Sequence, residues 1–269
     1  MLIIGHRGCR GLFPENSIKS FTEAISMGVN AIELDIVVSK DREIVVSHEP
    51  FMSQTYCLKP NGEEIRDDED KKYNLFEMTY SQIKEFDCGM KSHPRFPNQK
   101  KLKIQKPLLK AAICSSEMFI NQNLLVPINY IIEIKSNEEY YNVFYPEPAE
   151  YVKLVLRSIS GFEFKERIVL KSFDVNILNE IKIQSPKTQV SILINKDEEI
   201  SNKLEQLDFI PEFLGPYYKL LTKENVLNYQ KLGFRIFTWT VNDVIDIKLM
   251  KSYKVDGIIT DYPNRLNSY

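Results

Sequence analysis

The chain is poor in cysteine and histidine and has a single tryptophan: four, three and one in 269 residues. Cys9, Cys57, Cys88 and Cys114 are widely spaced and form no Cys-x-x-Cys pair. That spacing argues against a structural zinc site and against a disulfide framework in a chain of this length, so all four are expected as free thiols. A net charge of -2 gives no electrostatic reason to expect nucleic acid or an anionic membrane surface as partner. No apolar run approaches the ~18 residues that a transmembrane helix needs, so no stable membrane insertion is expected. The opening MLIIGHRG lacks the basic lead-in and the small-residue cleavage site of a signal peptide. The expected location is therefore cytoplasmic, or periplasmic or secreted if a leader precedes this sequence. No Gly-x-Gly-x-x-Gly follows the first apolar run, which weighs against a dinucleotide-binding sheet. Nothing here fixes the oligomeric state.

What is present is a regular alternation of short apolar runs and helical patterns. Leu2 to His6 reads as a first strand. Pro14-Glu15-Asn16 follows, with Asn16 expected as a helix N-cap, and Ile18, Phe21, Ala24 and Ile25 recur at helical spacing up to Gly28. Asn30 to Val38 is a second strand, and Glu43 to Ser47 is a strand-like run after the turn Lys40-Asp41-Arg42. Further strands are expected over 129–135, 167–173, 189–194, 209–213, 235–241 and 255–260. The helices between them are expected over 108–121, 149–160, 175–183, 198–207, 222–233 and 243–252. Eight strands alternating with helices imply a closed α/β barrel, the (β/α)8 or TIM barrel, in one domain spanning 1–269. Residues of about 51–113 break the alternation with a Pro60-Asn61-Gly62 turn, a charge run over 63–72 and a proline-rich stretch. They read as a small inserted subdomain after the second strand.

In such a barrel the active site lies at the C-terminal ends of the strands. His6 ends the first strand and is followed by Arg7. Glu33 and Asp35 share one face of the second, because alternate side chains of a strand point the same way. His48 follows the run after it. Glu133 and Lys135 repeat the two-residue spacing on the next strand, Lys171-Ser172-Phe173 ends another, Trp239 lies near the end of the seventh, and Asp261 closes the eighth. Three inward carboxylates, Glu33, Asp35 and Glu133, are an oxygen set suited to a hard divalent cation, Mg²⁺ or Ca²⁺. An imidazole pair, His6 and His48, supplies an acid and a base near neutral pH. Arg7 and Lys135 can neutralise a phosphate. His93, in the proline- and arginine-rich loop, is read as structural.

The ordered set Gly5-His6-Arg7-Gly8, Pro14-Glu15-Asn16, Glu33-x-Asp35, the run ending in His48, Glu133-x-Lys135, Ser172-Phe173-Asp174, Trp239-Thr240-Val241-Asn242 and Asp256 to Pro263 resembles the glycerophosphodiester phosphodiesterase family of (β/α)8-barrel enzymes, from Leu2 to about Leu266. The resemblance implies that His6 and His48 are the acid/base pair and that Glu33, Asp35 and Glu133 ligate a metal. It further implies that Arg7 and Lys135 lie at the phosphate, that Phe173 and Trp239 line the substrate cleft, and that Glu15 and Glu49 support Arg7 and His48. Two positions depart from the family pattern: Glu49 stands where Asp is most frequent, and Ser17 where Thr is usual. Each keeps its chemistry, charge for Glu49 and a hydroxyl for Ser17.

The implied function is metal-dependent hydrolysis of small-molecule glycerophosphodiesters to glycerol 3-phosphate and an alcohol. The attacker is either water or the neighbouring glycerol hydroxyl. One alternative keeps the enzyme and changes the substrate, as in a lysophospholipase D. It would require Phe51, Met52, Tyr56, Phe76, Met78 and Phe96 to form an exposed apolar face on the insertion rather than its core. The other alternative is a barrel that binds phosphodiesters without turnover, for which two histidines would have little use.

Overall fold

The computed structural model describes residues 1–265; Leu266, where the sequence resemblance ends, lies outside the described residues. The elements in chain order are β1 (Leu2–Gly5), α1 (Ile18–Ser26), β2 (Ala31–Val38), β3 (Ile44–Val46), α2 (Tyr80–Ile83), α3 (Leu109–Gln122), β4 (Asn129–Ile134), α4 (Pro148–Ile159), β5 (Ile168–Ser172), α5 (Val175–Gln184), β6 (Gln189–Ile194), α6 (Ile200–Leu204), β7 (Phe213–Pro216), α7 (Lys223–Lys231), β8 (Arg235–Thr238), α8 (Val244–Tyr253) and β9 (Gly257–Thr260). Eight strands pair in parallel, and β1 pairs with both β2 and β9, which closes the barrel. The remaining strand, β3, folds back antiparallel on β2. The (β/α)8 expectation is met.

Strand periodicity sorts the residues into two cores. Ile32, Leu34 and Ile36 of β2 face outward and join the large cluster between strands and helices. Ile4, Ala31, Ile131, Val169, Phe213, Phe237 and Ile259 form a second cluster inside the barrel. Two residues further along the same strands, on the same face, stand His6, Glu33, Glu133, Lys171, Trp239 and Asp261. An apolar layer thus floors the barrel, and the polar residues form the layer above it, toward the strand C-termini.

Three local expectations are corrected. The N-cap of α1 is Ser17, whose Oγ accepts the Ser20 N–H; Asn16 instead has a left-handed backbone (φ 53°) and turns its amide to the site. The sixth barrel strand is Phe213–Pro216 rather than 209–213. Gly215 and Pro216 are turn formers by type, yet both pair with β6, Gly215 beside Leu193 and Pro216 beside Ile194. Cys57 and Cys88 are bonded to each other, and only Cys9 and Cys114 are free thiols. The bond lies inside the insertion and joins residues that sequence spacing does not pair.

That insertion, between β3 and α3, contains α2 and short 3-10 turns but no long element. Met52, Tyr56 and Phe96 are buried within it, and Phe76 and Met78 pack against the large core cluster. Among the described residues no helix is long and apolar enough to cross a membrane.

Candidate active site

The first βα turn carries the densest set of site residues. Arg7 has a left-handed backbone (φ 49°), and Gly8 follows at φ 87°, where a Cβ would lie 2.4 Å from Ser20 Oγ. This tight path lets the Arg7 N–H donate to Glu33 Oε2 (3.0 Å) and its guanidinium donate to Glu15 Oε1 (2.6 Å), with Nε 3.1 Å from Asp35 Oδ2. Asn16 holds Asp35 from the other side: its Nδ2 donates to Asp35 Oδ2 (2.9 Å), and its Oδ1 accepts the Asp35 N–H (3.2 Å). Sequence reading gave Asn16 only a capping role.

The barrel register does the rest. Asp35 of β2 stands beside Glu133 of β4, and Glu133 stands beside Lys171 of β5. Each of Glu33, Asp35 and Glu133 offers one oxygen within 4.8 Å of the others, and all three residues are buried. Three cations face them. Lys135 Nζ bonds Glu133 Oε1 (2.5 Å) and lies 3.9 Å from Asp35, and Lys171 Nζ lies 2.7 Å from Glu33 Oε1 and 3.4 Å from Glu133 Oε2. Arg7 is the third. Burial alone would favour the neutral forms, but the opposite charges outweigh it. Arg7 holds Asp35 well below the usual carboxylate range, Lys135 and Lys171 hold Glu133 below it, and the carboxylates hold both lysines above the usual lysine range.

The residues fit a divalent cation. The donors are hard oxygens that converge. Glu33 Oε1, fully buried, also makes no hydrogen bond of acceptable geometry despite its proximity to Lys171, which leaves a lone pair for an ion.

The two histidines line the same mouth as this cluster, each bound to a carboxylate. His6 Nδ1 is 2.7 Å from Asp261 Oδ1, and Asp261 also accepts from Arg10 (2.9 and 3.3 Å) and from Asn242 Nδ2 (2.7 Å). Those partners outweigh burial and hold Asp261 far below the usual carboxylate range. An ionised carboxylate only accepts, so the proton of neutral His6 sits on Nδ1 and the Nε2 lone pair faces the site, 4.0 Å from Glu33 Oε2. Burial and the Arg10 charge hold His6 below its ordinary 6.5.

His48 arrives by the β3 return: the Ser47 N–H donates to Asp35 O (2.9 Å), which brings the hairpin back to the level of the carboxylates. His48 Nδ1 lies 2.9 Å from Glu49 Oε1, and Tyr56 Oη donates to Glu49 Oε2 (2.6 Å). Burial opposes the charge on Glu49, but the His48 hydrogen bond and nearby cations outweigh it and keep Glu49 ionised. Beneath lies Lys106, 4% exposed, donating to Ser47 Oγ (2.9 Å) and to Tyr56 Oη (3.4 Å). His93 stacks on Tyr56 at 5.9 Å. Tyr56 and Lys106 come from the insertion, and neither was legible as a site residue.

Above the cluster opens a cavity of about 500 Å³ lined by both histidines, Arg7, Lys135, Lys171 and an aromatic wall of Phe173, Trp239, Tyr217 and Tyr218. Phe173 meets Trp239 edge to face at 5.5 Å, and Trp239 Nε1 donates to Gly215 O (2.7 Å), which fixes the indole.

A family model for the glycerophosphoryl diester phosphodiesterase family matches residues 6–265. The chain belongs to that family. Its members are phosphoric diester hydrolases, and divalent-metal dependence is general among them. Among individual relatives, a glycerophosphodiester phosphodiesterase of Caldanaerobacter subterraneus is 30% identical over 98% of this chain and 96% of its own. A human lysophospholipase D is 23% identical over 99% of this chain and 85% of its own. A crystal structure from Silicibacter pomeroyi, assigned as a glycerophosphoryl diester phosphodiesterase, superposes with a TM-score of 0.86 at 30% identity. It covers 98% of this chain and 91% of the other. An Oleispira antarctica phosphodiesterase, solved with the product sn-glycerol 3-phosphate, shares the fold at a TM-score of 0.77 and 19% identity, over 100% of this chain and 96% of its own.

Proposed function

We propose that this family member hydrolyses glycerophosphodiesters to glycerol 3-phosphate and an alcohol, with His6 and His48 as its proton-transfer pair. The observation that carries the reading is two histidines, each bonded to an ionised carboxylate, lining one cavity with a buried carboxylate triad. Glu33, Asp35 and Glu133 are the residues that would hold Mg²⁺ or Ca²⁺, and such an ion supplies positive charge to the phosphoryl oxygens. Arg7 and Lys135 add fixed cations at the same place. His6 is suited to be the base, because Asp261 fixes its Nδ1 proton and leaves Nε2 free toward the triad. His48 then protonates the departing alkoxide, held by Glu49 and, through it, by Tyr56. Phe173 and Trp239 would flank the substrate, and Glu15 holds the Arg7 guanidinium.

The lysophospholipase alternative loses its main support, because Met52, Tyr56 and Phe96 are buried inside the insertion instead of forming an exposed face. We take the chain as one barrel domain with residues of about 51–113 as a subdomain over the mouth. A cytoplasmic location requires Cys57 and Cys88 to stay reduced in the cell, whereas an oxidising compartment fits the bond between them.

The test is glycerol 3-phosphate release from glycerophosphocholine and glycerophosphoethanolamine, with and without EDTA. Activity is expected, and it is expected to vanish in chelator and in Glu33→Ala. Full activity in either condition overturns the metal assignment, and no release from any diester overturns the activity.

A further inference from the structure

Lys171 stands where the barrel register puts it, on β5 beside Glu133, with its side chain pointing into the same layer as the carboxylates. Its ammonium lies 2.7 Å from Glu33 Oε1 and 3.4 Å from Glu133 Oε2. These are the oxygens that other contacts leave over. Glu33 Oε2 accepts the Arg7 N–H, and Glu133 Oε1 accepts from Lys135. Lys171 therefore sits on the side of the triad where a divalent ion would take its oxygens, buried to 4% exposure. An ammonium and a divalent ion cannot both hold these two oxygens at contact distance, because their repulsion there is largely unscreened by water.

We propose that Lys171 is a built-in competitor for the divalent cation, one that must leave Glu33 and Glu133 when the ion binds and then face the anionic diester. This rests on the phosphodiesterase reading above. The lysine stem is flexible and Lys171 already lines the mouth cavity, so withdrawal needs rotamer changes and no backbone movement. The local charges support the exchange: Lys171 and Lys135 already face the triad, Arg7 is shared between Asp35 and Glu15, and a divalent ion taking the Lys171 oxygens would set two more positive charges beside that ammonium. Metal and diester should therefore favour each other's binding, and the coupling is reciprocal.

Isothermal titration of MgCl₂ and CaCl₂ into the full chain and into Lys171→Met and Lys171→Gln tests this. Both variants are expected to bind the ion about tenfold more tightly or better, within the ordinary range of site coupling. Their metal-loaded forms are expected to bind glycerol 3-phosphate more weakly than the parent, and the rise in Tm on adding cation should be larger. Equal or weaker metal affinity in the variants, against a clear isotherm for the parent, overturns the proposal and leaves the metal reading standing. That is the outcome if Lys171 stays on the ligands as a fixed partner. Absence of cation binding in all three proteins overturns both. If Lys171→Met fails to fold by circular dichroism, the polar Lys171→Gln carries the comparison.

Discussion

His6 Nδ1 and Asp261 Oδ1 lie 2.7 Å apart, although 255 residues separate them in the chain. β1 and β9 are neighbours where the barrel closes, with Gly5 beside Thr260, so the next residue of each strand meets the other at the mouth. Asp261→Asn keeps the shape but offers an amide that can donate as well as accept, so it no longer enforces the Nδ1 tautomer. Its kcat is expected to fall about 10²–10⁴-fold with KM little changed. Steady-state release of glycerol 3-phosphate measures this, and an unchanged kcat would remove Asp261 from the proton-transfer chain.

Tyr56 reaches from the insertion to the carboxylate that holds His48. Tyr56→Phe removes the donor to Glu49 Oε2 and one acceptor of Lys106, which is left donating to Ser47 Oγ. A loss of about 1.5–3 kcal/mol in urea unfolding is expected, the range for a hydrogen bond to a charged group. If Tyr56 also orients His48, kcat falls while KM holds. Lost stability with a constant kcat would confine Tyr56 to a structural part.

Cys57 and Cys88 close a loop across 31 residues of the insertion. Reduction, or the double change to serine, is expected to lower stability by about 2–4 kcal/mol. Because Tyr56 adjoins Cys57, activity should fall with it. Thiol titration of unreduced protein should find two reactive groups after unfolding; four would show that the bond is absent.

Acid should weaken the metal-free protein in two stages. His6 is held below 6.5 by burial and Arg10, so between that lowered value and 6.5 the unfolded chain binds a proton that the folded chain refuses. Its contribution is whole above 6.5 and declines as pH falls. Glu49 and Asp261 are held below their ordinary 4.5 and 3.8, so their contributions are whole above those values and are lost as pH falls further. Urea midpoints measured across pH should decline below about 6.5 and more steeply below about 4.5. His6→Gln should shrink the first stage and leave the part due to His93, which burial also holds below 6.5. A midpoint that rises on acidification would contradict both.

Much of the barrel was legible because its signal is local. Alternation along β2 puts Glu33 and Asp35 on one face whatever surrounds them, and the helical spacing of Ile18, Phe21, Ala24 and Ile25 is equally self-contained. The sixth barrel strand was misplaced because Gly215 and Pro216 are turn formers by local preference, while pairing with β6, Gly215 beside Leu193 and Pro216 beside Ile194, keeps them in the strand. Asn16 was read as a cap because its type suits one, while its contact with Asp35, 19 residues away, gives it another task.

The sequence by itself determined the fold class and the inward face of each strand, since strand and helix periods are written in consecutive residues. It also held the ordered motifs of the family. Tertiary structure decided which of those faces meet. The register between parallel strands brings Lys171 onto Glu33 and Glu133, barrel closure brings Asp261 to His6, and the fold of the insertion brings Tyr56 to Glu49 and Cys57 to Cys88. None of these pairings leaves a trace in local spacing, because each depends on how segments distant in the chain are aligned and closed in space.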